Sequence, residues 1–502
     1  MRFFLLIESI RKRLGKIQNN LFFIGIFSLL WFLLRTGTKP SRAVYPCQRA
    51  AAANSYLWLT TSVIPFLFAV PREIKKINLG KKRLMILAIV VIVVTASSAV
   101  LWSFSGTGGK PLGQVIRLTL EGRSATAQPA SDIFVVNGTL GNDEGLKELI
   151  NFMGEHELLF YKSEMIGKNS GPNGLITRDD VVLIKVNSQW DERGGTNTDL
   201  LKALIDAIVN HPDGFVGEIV VADNGQAQFG SAGRGGSLNW TNNNAENRSQ
   251  SVQRVVNMFS GSHKVSTYLW DTITENRVVE YSEGNMNDGY VVNETTNSVT
   301  GIKVSYPKFR TKIGTYISFK EGIWNPATQS YDSERLKVIN FPVLKSHSGY
   351  GVTACVKHYM GVISDKLTRS LGARTHNTVG NGGMGTEMAE TRMPVLNILD
   401  AIWINAIPGS GPGTPYEEAT RVNVVMASTD PIALDYWAAK HVLLQTANLK
   451  RSTHTDSINP DIQAQGSFGY WLRRSMEEIR KAGYYATVDE RHMNVYVTHL
   501  SR

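Results

Sequence analysis

Lysines, imidazoles and carboxylates recur where apolar runs end in this chain. Lys185 and Asn187 follow Val-Val-Leu-Ile, Asp223 and Asn224 follow Glu-Ile-Val-Val-Ala, and Lys345 and His347 close the run Val338–Leu344. Asp400 lies within Leu-Asn-Ile-Leu-Asp-Ala-Ile, and Asp430 follows Val-Val-Met-Ala-Ser-Thr. A lysine ending a buried strand is costly unless it is paired or meets an anion. Lys185, Lys345 and Lys357 are therefore candidate anion ligands, with Lys185 and Lys345 also placed with the catalytic groups. The bland reading of Lys185 is a salt bridge to Asp223 or Asp430. His347 is the candidate general acid–base, because imidazole changes charge near neutral pH. It is equally a candidate metal ligand, with Asp223, Asp430 and Asp435 as carboxylates for a divalent ion. Asn187, Asn224 and Thr353 are candidate substrate contacts, and Asn187 serves equally well to close a turn.

These residues need a scaffold that brings strand ends together. Strand and helix signals alternate from Ile133 onward: IFVVNG, a helix around Asn142–Met153, VVLIKV, the helix TDLLKALIDAIV, EIVVADN and a further helix. That order predicts an α/β fold with a doubly wound, mostly parallel sheet, whose strand ends share one rim where ligands bind. A run of short strands (Lys264–Trp270, Val278–Glu283, Gly289–Asn293, Gly301–Tyr306, Thr315–Phe319) predicts an inserted antiparallel β region at about 260–330. The α/β pattern then resumes, with a helix expected from near Thr353. Asp430-Pro431 reads as an N-cap followed by proline at the first helical position, and Thr198-Asp199 as a cap and a first-turn acid.

Three blocks carry a family resemblance. They are DDVVLIKVN (Asp179–Asn187) followed by Thr198-Asp199, then Pro342, Lys345, His347, Val352-Thr353, Lys357 and Gly361, then ASTDPIALD (Ala427–Asp435). In this order they resemble the prokaryotic domain-of-unknown-function family number 362, over roughly residues 130–500. The resemblance implies no particular chemistry. Some members carry an added ferredoxin-like cysteine cluster; this chain has only Cys47 and Cys355, so no iron–sulfur cluster is expected. Cys355 reads as a packed small residue, with a thiolate role as the alternative.

The formal net charge of +10 is unevenly placed. Residues 1–104 hold 15 Lys/Arg against Glu8 and Glu73, so the remainder of the chain is slightly acidic and nucleic acid is not an expected partner. Leu84–Phe104 is 21 residues without a charge, long enough to span a bilayer. Two shorter apolar runs, Leu21–Leu34 and Tyr56–Val70, are either short spans or shallow interfacial segments. Basic clusters at Arg11–Lys16 and Arg72–Arg83 predict a cytoplasmic N-terminus and an extracytoplasmic C-terminal domain. Residues 1–104 are thus a membrane region, 105–131 a Gly/Ser/Pro-rich tether, and 132–502 the α/β domain.

No Gly-x-Ser-x-Gly elbow, Walker loop or dinucleotide fingerprint is present. The expected function is that of an extracytoplasmic enzyme, held by the bilayer, acting on a small phosphate- or carboxylate-bearing molecule, with a divalent metal as an option. The alternatives are a non-catalytic receptor for an anionic metabolite or surface glycan, and a structural envelope protein.

Overall fold

The computed structural model describes residues 130–226, 236–369 and 374–500. The expected membrane segments at 21–34, 56–70 and 84–104 and the tether up to residue 129 lie outside them. Among the described residues no helix is long and apolar enough to cross a membrane.

A 10-stranded sheet forms the centre. Its main path runs Met493–His499, Ser131–Asn137, Thr420–Ser428, Leu396–Asn405, Leu336–Asn340, Val181–Lys185, Glu218–Asp223, Val265–Leu269. Neighbours are parallel except where Thr420–Ser428 lies antiparallel to both of its partners. The sheet is mostly parallel, as expected, with an antiparallel strand set into it. Val343–His347 joins alongside Leu396–Asn405 and turns back on Gly351–Thr353 as a short antiparallel hairpin.

Strand side chains alternate between two cores, the period of two that a pleated strand imposes. Val182, Ile184, Ile219 and Val221 pack against the helices Gly145–Glu155, Thr198–Val209 and Val252–Phe259. Val181, Leu183, Val220 and Ala222 face the opposite layer, with Val356, Met384, Leu434 and Trp471 from helices on that side. Each layer covers one face of the central strands, and Val181–Lys185 and Glu218–Asp223, buried along their whole length, accordingly read as continuous apolar runs. Asn197 caps the helix Thr198–Val209 by accepting from the amides of Asp199 and Leu200 at 3.1 and 3.2 Å.

The β insertion forms a separate six-stranded sheet from Arg277–Val278 to Ser330–Asp332. The strand Val265–Leu269 does not belong to it. That strand was expected at the start of the antiparallel region, yet it pairs parallel with Glu218–Asp223 as the edge of the main sheet. The helix Val252–Phe259 supplies the crossover between those two strands, completing a βαβ unit. Trp270, Phe309 and Phe319 seat the insertion on the core, with Trp270 and Phe319 ring centroids 5.8 Å apart.

Candidate functional site

The ends of Val181–Lys185, Glu218–Asp223 and Leu336–Asn340 meet the hairpin and helix that follow Pro342. There they enclose a cavity of about 30 Å³, lined by Lys185, Asn187, Trp190, Asp223, Lys345, Thr353, Lys357, His358, Gly361 and Pro412, among others. That is room for one or two water-sized groups, and because the pocket is partly open a larger ion can extend out of it.

Lys185 is 1 % exposed, and its Nζ meets Asp223 Oδ1 at 2.7 Å. Asp223 Oδ2 accepts from the Ser188 amide at 2.7 Å and the Ser188 hydroxyl at 3.0 Å. Burial draws the ammonium's pKa down and the carboxyl's up, and each charge opposes that shift in the other. The bland reading of Lys185 is thereby realised, but at the wall of a cavity. Gly361 lies directly against the pair: a Cβ there would stand 2.3 Å from both Lys185 Nζ and Asp223 Oδ1. Only a glycine permits this approach.

Lys345 is fully buried, and its Nζ donates to the Gly194 carbonyl. Lys357 Nζ lies 3.2 Å from His376 Nε2 and 5.7 Å from the centre of the Tyr350 ring. Among the described residues neither lysine has a carboxylate partner within salt-bridge distance. Burial, and then the Lys357 charge, pull Lys345 well below its usual range. Burial, and then Arg374, bring Lys357 down to about 7. Thr353 Oγ1 is buried without a hydrogen-bond partner. It ends the strand Gly351–Thr353 rather than opening the helix, which starts at Cys355 and ends at His358.

His347, the expected acid–base or metal residue, does not line this cavity. Its Nδ1 accepts from the amides of Gly349 and Tyr350 at 3.0 and 3.2 Å, which places the proton of the neutral ring on Nε2. A metal ligand at Nε2 needs the opposite tautomer, so this loop disfavours that role. The ring packs instead with Tyr350 and His376, 5.5 and 5.7 Å away between centroids. Burial, then Lys357, hold its pKa far below the usual imidazole value.

The carboxylates expected beside it are dispersed, and each has a structural task. Asp430 Oδ1 caps the helix Pro431–Ala438 through the amides of Ile432 and Ala433 at 2.8 and 3.1 Å. Its Oδ2 accepts from Ser131 Oγ at 2.5 Å and the Thr487 amide at 2.9 Å. Asp435 receives the amides of Cys355 and Val356 at 2.7 and 2.9 Å, clamping the start of the helix that carries Lys357 and His358. Asp400 receives Asn244 Nδ2 at 2.6 Å and the Ile402 amide at 2.9 Å. Among the described residues no three or more His, Cys, Asp or Glu side chains gather as a metal set. Asn224 is a bracket rather than a ligand group, its Nδ2 donating to Tyr290 OH at 2.9 Å and the Ile363 carbonyl at 2.8 Å. Cys355 is buried beside Asp435, and its thiol pKa is raised by burial and then by that carboxylate, the opposite of a reactive thiolate.

The structure therefore gathers Lys185, Asn187, Asp223, Lys345, Thr353 and Lys357, and leaves out His347, Asp430 and Asp435. Pro412 and His376 were not foreseen, and Trp190 and His358 stood outside the expected contacts. Trp190 and Pro412 come from loops with no periodicity. His358 directly follows Lys357, and only their helix places it at the cavity.

Residues 333–440 match the family model described as a domain of unknown function (DUF362). That segment holds Lys345, Thr353, Lys357, His358 and Gly361, and also Asp430 and Asp435, whereas Lys185 and Asp223 lie outside it. The match is shorter than the resemblance over residues 130–500 implies. No curated protein and no solved structure matches the chain.

Proposed function

We propose that this protein binds a small anion in the cavity between Lys345, Lys357 and Thr353 and acts on it as an enzyme. One observation carries the reading: two buried amines face a small cavity without a carboxylate of their own, while the nearby Asp223 is occupied by Lys185. Buried cations are costly until a countercharge and hydrogen bonds complete them. An oxyanion supplies both, accepting from the lysines and from the idle Thr353 hydroxyl. The enzymatic part rests on Lys357, whose amine, at about 7, exchanges protons at physiological pH. The narrowness of the cavity favours a second reading, a receptor that encloses its ligand without turning it over. Membrane attachment through Leu84–Phe104, with the α/β domain outside, belongs to the same proposal and rests on the sequence.

Thermal melting of the full-length protein with phosphate, acetate and citrate tests the anion site. At 100 times Kd a ligand adds about 2.7 kcal/mol, a Tm rise of a few degrees. Lys345→Ala and Lys357→Ala should fold and lose that rise. If no anion moves the Tm and the variants change only stability, the lysines are structural and the proposal fails.

A further inference from the structure

The polar row beneath the cavity fixes the chemistry of one of its walls. Strand register sets Lys185 opposite Asn340, Asn340 opposite Asn397, and Asn397 opposite Ser428. Both asparagines are oriented by backbone carbonyls, which can only accept. Asn397 Nδ2 donates to the Ser428 carbonyl at 3.1 Å, so its Oδ1 accepts from Asn340 Nδ2 at 2.9 Å. Asn340 Nδ2 also donates to the Cys355 carbonyl at 3.0 Å. Asn340 Oδ1 is then the atom that meets His358 Nδ1 at 2.7 Å, and the imidazole must donate there.

A neutral His358 with its proton on Nδ1 carries a bare lone pair on Nε2. That atom is buried without a hydrogen-bond partner, in a residue 4 % exposed that lines the cavity. The Val186 carbonyl near this ring, which also accepts from Lys185 Nζ at 3.1 Å, could bond Nε2 only if the ring took a second proton there. A second proton on the ring would set a cation among Lys185, Lys345 and Lys357. The cavity thus presents lysine and hydroxyl donors together with an idle imidazole acceptor. Asp223, the carboxylate on the wall, is engaged by Lys185 and Ser188.

We infer that the cavity selects an oxyanion that still carries a proton, of the hydrogen phosphate class, and that His358 Nε2 accepts that proton's hydrogen bond. This rests on the anion site proposed above and names its ligand class. A fully deprotonated oxyanion of the same size sets an oxygen lone pair against the Nε2 lone pair, a mismatch that a buried site cannot relieve with water. Sulfate and the methyl phosphate dianion are such ions. In mildly alkaline buffer inorganic phosphate is the hydrogen phosphate dianion, equal to sulfate in charge and tetrahedral shape.

Calorimetric titration of the full-length protein with phosphate, sulfate and methyl phosphate in such a buffer is the test. The expected result is phosphate binding at least tenfold tighter than either of the others, about 1.4 kcal/mol or more. His358→Met should retain sulfate binding and lose the preference. His358→Gln, whose amide can donate to Asn340 and turn its oxygen to the cavity, should keep it, so the test survives if the Met variant does not fold. Equal affinity of the parent for phosphate and sulfate, or a preference that persists in His358→Met, overturns the role of His358 and leaves the anion site standing. Binding of none of the three overturns both.

Discussion

At the residue scale the site is an exercise in neutralising buried charge. Lys185 has Asp223, whereas Lys345 and Lys357 have only a carbonyl and an imidazole. The pair occupies room that Gly361 leaves free, because a Cβ there would stand 2.3 Å from both charged atoms. Gly361→Ala should push the pair apart and cost about 3–5 kcal/mol, the usual penalty for breaking a buried ion pair. Chemical denaturation checks the stability, and titration with phosphate should show the binding lost as well. A loss under 1 kcal/mol would mean that the helix end shifts freely and that Gly361 has no positioning role.

Elements carry the site through their ends. Three parallel strands stop at the same level, and the hairpin Val343–His347 to Gly351–Thr353 folds Lys345 and Thr353 over them. The following helix is one turn long and is held by Asp435, which accepts from both of its first amides. Asp435→Ala leaves two buried N–H groups unsatisfied and should cost about 2–5 kcal/mol. Because that turn aims Lys357 and His358, phosphate affinity should fall with it although Asp435 does not line the cavity. Unchanged affinity in the folded variant would show that the turn keeps its place without the clamp. This pairing was foreseen only in part: Asp435 and Lys357 were both singled out from spacing, but as a metal ligand and an anion ligand. Their link runs through backbone amides, which no residue type announces.

The whole molecule should respond to pH in two opposite senses. Burial lifts Asp400 and Asp435 to about 7 and Asp430 to about 6, from the ordinary 3.8 of an aspartate. The folded state therefore binds more protons than the unfolded chain between about pH 4 and 7, and these groups add stability as the pH falls through that window. Lys357 acts the other way. With its pKa lowered from 10.5 to about 7, the unfolded chain binds the extra proton between those values. Stability then rises with pH across that window, by up to about 1.4 kcal/mol per unit. The buried imidazoles of His347 and His376, held well below their usual value, oppose the carboxylates up to about pH 6.5, so melting of the full chain should show a nearly flat acid limb and a rise on the alkaline side. A bound anion keeps Lys357 charged, so saturating phosphate should lessen the alkaline rise, as should Lys357→Met, with Lys345 keeping a share of it. An alkaline slope unchanged in Lys357→Met would assign it to other groups.

The sequence by itself determined the alternation of strands and helices, the mostly parallel sheet, the inserted β region, and the placement of Lys185 and Asp223 at strand ends; Lys345, expected at one, lies in the middle of Val343–His347. These are local matters: side-chain periodicity and turn chemistry act over a few residues, and a strand buried on both faces must be apolar until it stops. Only the tertiary structure decided which strand ends meet. It sent Val265–Leu269 to the edge of the main sheet, turned His347 onto its own loop, and gave Asp430 and Asp435 backbone amides to hold. Above all it placed His358 against the cavity with its tautomer set by Asn340 and Asn397. That assignment depends on strand register across four segments far apart in the chain. A hydrogen bond between such segments is fixed by where the backbone arrives, and side-chain identity alone does not contain that information.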